Sequence, residues 1–299
     1  MQKLINQLVV FAIICLTANL ASAQDEPSML DALGDEQTTD YATNAFKSPR
    51  VINGHSMEML HPGTMDFRIL HRFGDVSRGY YEFFGLDQAS MRMGFDFGLT
   101  KNLMVGIGRS TSKKELDAFA KYRLLWQSTG KRNMPISLVL VAGATMNGLK
   151  DPVGNAEVPA TFARRMGYYY EAIIGRKFSE RFTMQLTPTL VHRNIVQNEL
   201  VPNDLWAVGF GGRYKVTQRM ALVWDYGYVI NRFPANLSHN PLSLGVDIET
   251  GGHVFQLHFS NAVGMNERAY LSDDNSNWRK GEIRFGFNLS RIFQIKKNV

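Results

Sequence analysis

One cysteine stands in 299 residues. Cys15 alone excludes a disulfide scaffold and a cysteine-based zinc site. Long apolar runs are equally scarce. After Ala23 none reaches the roughly 18 residues that a membrane helix requires, which excludes a helical membrane bundle. Charge of one sign is limited too, with 33 Lys and Arg against 27 Asp and Glu. The excess gathers into no basic stripe, so a nucleic-acid partner is not expected. What is abundant is apolar and aromatic material, 44% and 11% of the residues, which excludes global disorder.

The first residues carry an address. Lys3 supplies a positive start, Leu8 to Leu20 form a short apolar stretch, and Ala21-Ser22-Ala23 fits a small-x-small cleavage site. This predicts a secretory signal peptide over residues 1–23. Ile13 and Ile14 are too bulky for lipoprotein processing at Cys15. Residues 24–62 are expected to form an N-terminal periplasmic segment. Gln24 to Lys47 is polar and acidic, with a short helix conceivable around Met29 to Leu33. Val51 to Leu60 has mixed faces, with Asn53 and His55 opposite Ser56 and Glu58. A lipid-facing strand does not look so, which leaves entry into a lumen or pairing at the periplasmic rim.

From Met65 onward, segments of about ten residues alternate apolar with polar, the period of strands crossing an outer membrane. Met91, Met93, Phe95, Phe97 and Leu99 share one face; Arg92, Gly94, Asp96 and Gly98 share the other. Phe182, Met184, Leu186 and Leu190 oppose Thr183, Gln185, Thr187 and Thr189, and Pro188 predicts irregular pairing there. The stretch 136–146 is apolar on both faces. Tyr122, Trp126, Tyr168, Trp206, Tyr214, Trp224 and Tyr228 fall on apolar faces, several near strand ends, as membrane interfaces favour. Phe293 marks the aromatic end of the last strand, with residues 294–299 as a tail. Thr100-Lys101-Asn102, Thr217-Gln218-Arg219 and Thr250-Gly251-Gly252 read as tight turns. They alternate with longer loops at Gly74 to Gln88, Asn147 to Arg164 and Asn261 to Gly281. Short periplasmic turns and long outer loops predict an all-β fold. It is a transmembrane antiparallel up-and-down barrel of about twelve strands, residues 63–299.

Four motifs carry a family resemblance: His71-Arg72-Phe73-Gly74, Phe84-Gly85-Leu86-Asp87, Val105-Gly106-Ile107-Gly108-Arg109-Ser110 and Lys121-Tyr122-Arg123-Leu124-Leu125. With them the stretch from about Arg50 to the end resembles the membrane-bound β-barrel domain family of Bacteroidetes, DUF5777. The resemblance implies an outer-membrane barrel and brings no activity or site residue with it.

Chemistry-bearing constellations are few. Val105 to Thr111 lacks the Gly-Lys-Ser/Thr end of a phosphate loop. The histidines show no ligand spacing; His55, His61 and His71 meet only if folding brings them together, so no metal and no cofactor is expected. A barrel phospholipase needs a serine beside a lipid-facing histidine. His192 fits best, yet no serine shares a neighbouring outward face, so an enzyme is not expected.

The remaining constellation is the inward face. Its charges form a predicted lumen network of Arg68, Arg72, Arg92, Asp96, Lys121, Arg123, Glu171, Arg213, Asp225, Asp247 and Arg284. The signs nearly cancel, and buried unpaired charge is costly. Ion pairs across the lumen are therefore expected, with Gly94, Gly98, Gly106, Gly108, Gly209 and Gly211 leaving room for long arginines. This predicts a narrow, largely occluded channel or transporter for small solutes. The expected partners are the outer-membrane bilayer and the barrel-assembly machinery. The alternative is a scaffold or receptor barrel that binds an envelope protein through its loops or N-terminal tail.

Overall fold

The computed structural model describes residues 38–151, 161–196, 201–232, 238–273 and 275–296. The signal peptide and the Met29–Leu33 helix lie outside the described residues. The strands are β1 (Thr39–Tyr41), β2 (Thr64–Asp75), β3 (Ala89–Gly98), β4 (Leu103–Ser110), β5 (Leu116–Leu125), β6 (Ser128–Gly130) and β7 (Ser137–Met146). They continue as β8 (Met166–Lys177), β9 (Phe182–Arg193), β10 (Asp204–Lys215), β11 (Met220–Val229), β12 (Leu242–Glu249), β13 (His253–Ser260) and β14 (Arg284–Gln294). All but β1 and β6 form one closed barrel of twelve strands. Neighbours in the barrel are antiparallel, and β14 returns to β2 with Gln294 opposite Thr64 and Leu289 opposite Ile69. The ladder thus runs one residue past Phe293, and the Ile295 and Lys296 amides both donate to the Gly63 carbonyl.

Burial shows which way the barrel is turned. Phe95, Ile107, Leu140, Leu222 and Leu257 are each at least 40% exposed, whereas Asp66, Arg68, Arg72, Arg92 and Lys121 are at most 2% exposed. A water-soluble protein does the opposite. Strands of about ten residues, rising about 3.3 Å each and tilted near 45°, span roughly 25 Å, the height of an apolar membrane band. Barrel closure pairs every ladder edge, the condition for strands to survive in lipid. This chain is a membrane barrel, greasy outside and charged inside.

Local sequence explains the joints. Thr100 accepts the amides of Asn102 and Leu103 on its hydroxyl, Thr217 those of Arg219 and Met220, and Ser179 those of Arg181 and Phe182. Each hydroxyl satisfies the amides that the reversal frees, so four-residue links suffice. Pro188 lacks an amide, and the β8–β9 pairing is interrupted between Glu171–Thr189 and Ile174–Leu186 without a change of register. The β9–β10 ladder runs through Pro188 unbroken. A β-bulge between Arg123 and Leu125 ends the alternation of β5. Trp126 therefore departs from the expected lipid-facing row. Its indole donates to the Ala42 carbonyl at 2.8 Å, and the Arg123 guanidinium lies 4.0 Å from its ring. In β7, Val139, Val141 and Thr145 turn inward, resolving the stretch that is apolar on both faces.

Candidate functional site: the barrel interior

β1 pairs with β6 in the β5–β7 connection, and Tyr41 stacks on Trp126 at 4.6 Å. From there the chain enters the barrel. Ala45, Phe46, Val51, Ile52, Met57 and Leu60 are all under 5% exposed and make up much of the apolar core. Of the expected periplasmic stretch 24–62, the part from about residue 44 to 60 thus lies inside the barrel. The Val51 amide bonds to the Gly54 carbonyl, and Arg50 and His55 bridge antiparallel across this tight reversal. The chain leaves beside β3: a Cβ on Gly98 would strike the carbonyl of His61, so only glycine lets the backbone pass there.

An irregular backbone buried in a barrel needs partners for its peptide groups. The wall supplies them. Asp225 accepts the Asn53 and Gly54 amides at 2.8 and 2.9 Å. Gln185 accepts the Met57 amide at 2.9 Å and donates to the His55 carbonyl at 2.7 Å. Asn288 and Gln256 donate to the carbonyls of Ile52 and Val51. Lys121 donates to the Glu58 and Pro49 carbonyls at 2.6 and 3.2 Å, and Arg213 to the Asn44 and Ala45 carbonyls. Arg72 spans from Asn288 on the wall to the Asn53 side chain, at 2.9 and 2.8 Å.

The inward charges therefore have other partners than an empty lumen would give them. Arg92 makes a fork to Asp117 two strands away, and Gly108, where a Cβ would strike the guanidinium, leaves it room. Arg68 pairs with Asp66 on its own strand and donates to Ser48. Asp247 accepts from Gln256 at 2.7 Å, and Arg284 meets Asp75 across the β14–β2 seam at 2.9 Å. Arg123 lies over Trp126. Asp96 is buried with neither carboxylate oxygen hydrogen-bonded among the described residues. Among the described residues Glu171, buried on β8, accepts only a long bond from Thr189 at 3.3 Å.

A second insertion comes from the β13–β14 connection. Its short helix Glu267–Ser272 is capped by the Asn266 side chain and buries Glu267, Tyr270 and Leu271. Glu267 pairs with Arg50 of the inner segment at 2.6 Å, both side chains at most 1% exposed. Arg268 is held by Glu115 and Asp273, and Lys113 reaches Asp273 at 2.9 Å. Burial drives the His55 imidazole well below its ordinary pKa, reinforced by Arg50 and Lys121. Burial also lifts the Glu58 carboxyl, against the pull of Arg123. Asp273 goes the other way: burial would raise it, but Arg268 and Lys113 prevail and hold it low.

The lumen network expected from sequence leaves out Asn53, Gln185, Gln256, Glu267 and Asn288. Asn53-Gly54 after the apolar Val51-Ile52 is a turn signal that marks the buried reversal. Glu267 had no such signal, since nothing local distinguishes an inward-folded loop from an outward one. On the outer face, His192 bonds to Asp204 at 2.6 Å, a carboxylate and not a nucleophilic hydroxyl.

The chain belongs to the family described as Membrane bound beta barrel domain (DUF5777), whose model matches residues 46–293. The match begins inside the inserted segment. No curated protein matches the chain. Similar solved structures include the NanC porin, 7% identical over 78% of this chain and 100% of that one, with a TM-score of 0.48. An outer membrane channel from Pseudomonas putida F1 is 12% identical over 79% of this chain and 97% of that one, with a TM-score of 0.48. Outer membrane phospholipase A from Escherichia coli is 13% identical over 78% of this chain and 94% of that one, with a TM-score of 0.44.

Proposed function

We propose that this protein is a non-enzymatic outer-membrane barrel acting as a narrow, largely occluded channel or transporter for small solutes. Its signal peptide sends it across the inner membrane, and the barrel-assembly machinery inserts it. The observation that carries the reading is the inner segment held by hydrogen bonds from β2, β5, β9, β10, β11, β13 and β14. Barrels of about eight strands fill with side chains and those of sixteen or more hold water, so a twelve-stranded wall needs such filling to be tight. The fastening combines these polar contacts with an apolar cluster that includes Phe46, Val51, Met57 and Leu60. Planar-bilayer recording of the full chain tests this. Small, weakly ion-selective conductance is expected; a large, steady, sharply anion-selective conductance would sink it.

One observation favours the scaffold or receptor reading as a second. The β2–β3 loop exposes Tyr80 and Tyr81 at 86% and 87%, with Phe83 and Phe84 above 50%. Exposed aromatics in a cluster mark interaction surfaces. Liposome flux absent from the wild-type chain, together with an envelope protein captured through Tyr80 and Tyr81, would favour it.

A further inference from the structure

We propose that His55, Glu171 and Glu267 form a binding site for one divalent transition-metal ion of the zinc type. The three residues come from elements far apart in sequence: the inner segment, β8 and the helix of the β13–β14 connection. Each places one ligand atom so that all lie within 4.8 Å of one another. An ion about 2.0–2.2 Å from each donor holds its ligands about 3–4 Å apart, so small side-chain shifts close the set. One imidazole nitrogen and two carboxylates suit zinc or a similar borderline ion; a hard ion such as magnesium prefers oxygen and water alone.

The polar bookkeeping of the cluster points the same way. All three side chains are at most 4% exposed. Both ring nitrogens of His55, one carboxylate oxygen of Glu171 and one of Glu267 have no hydrogen-bond partner among the described residues, the His55 Nε2 lying 3.4 Å from the other Glu267 oxygen. Buried polar atoms are nearly always satisfied, so three buried residues that each keep an open atom, with ligand atoms within 4.8 Å of one another, call for a missing partner. Charge agrees. Arg50 serves Glu267 at 2.6 Å and Arg92 serves Asp117 at 2.8 Å, while Glu171 has no ion pair among the described residues. Phe119 packs edge-on against His55 at 4.4 Å and holds the ring in place.

The test uses the full chain folded in detergent, stripped with chelator and dialysed against zinc chloride, with magnesium chloride as control. One tightly held zinc per chain is expected, and no comparable magnesium. His55→Ala and Glu171→Gln should each weaken zinc by at least the roughly 10–100-fold that loss of a supporting group costs. Cobalt supplies a second readout, since its visible spectrum reports nitrogen ligation and should change in His55→Ala. Heat-modifiable mobility on a gel confirms that each variant is folded. If Glu171→Gln fails to fold, Glu267→Gln, which alters a connection and not the wall, takes its place. Absence of saturable zinc binding by the wild-type chain would overturn the site. So would equal binding by folded His55→Ala, which would place the metal on surface histidines.

Discussion

Alternation makes adjacent residues of one strand obey opposite rules. Phe95 points outward at 40% exposure, and its neighbour Gly94 points inward, where a Cβ would sit 2.8 Å from the Arg92 guanidinium. Phe95→Arg should destabilise the barrel by about 2–4 kcal/mol if the side chain meets the bilayer midplane. Gly94→Arg should act by crowding, displacing Arg92 from Asp117 and the wall. Folding yields in liposomes of differing thickness separate the two. The Phe95→Arg penalty should vary with bilayer thickness and the Gly94→Arg penalty should not. Equal folding of Phe95→Arg and wild type would contradict the outward face. Much of this level was legible in advance, because a period of two is a property of neighbouring letters. The inward rank of Arg68, Arg72, Arg92, Lys121 and Arg213 follows from it directly. Their partners do not, since Ser48, Asn44 and Asn53 stand in a segment with no period at all.

Elements add a second kind of information. Tight turns announce themselves through one hydroxyl residue each, as Thr100 and Thr217 show. Trp126 leaves the lipid-facing row because a bulge is a pairing event, decided by the strand opposite and invisible in β5 alone. The β13–β14 connection has the composition of a long polar loop, yet it folds a helix inward. Its anchor is the Lys113–Asp273–Arg268 cluster. The Asp273 carboxyl is held below its ordinary value, so its contribution is complete above the unfolded pKa of about 3.9 and disappears as pH falls through the lower folded value. Below about pH 4 the connection should therefore loosen. Pepsin, active in that range, should cut within residues 266–281 of wild type only at the acid end. Asp273→Asn should be cut there at a higher pH. Identical pepsin profiles for the two chains would show that Asp273 does not anchor the loop.

At the scale of the molecule, two structures share one chain: a wall that answers to lipid and a core that answers to the wall. The wall is stabilised by ladder closure and by its apolar outer face, and neither involves residues 39–60. The inner segment depends on the wall for its bonds, and the wall's inward charges depend on it only in part. Arg92 with Asp117, Arg68 with Asp66 and Arg284 with Asp75 are paired without it. Removing the segment leaves Asp225 and Lys121 without the backbone groups they serve, and water entering a widened lumen replaces those bonds at modest net cost. The chain lacking residues 39–60 should thus still reach the membrane as a heat-modifiable barrel. It should melt somewhat earlier, because the apolar contacts of Phe46, Val51, Ile52 and Leu60 are gone. Its conductance in planar bilayers should rise well above that of the full chain, with steady openings in place of brief ones. A folded barrel whose conductance stays unchanged after the deletion would mean that these residues do not close the path.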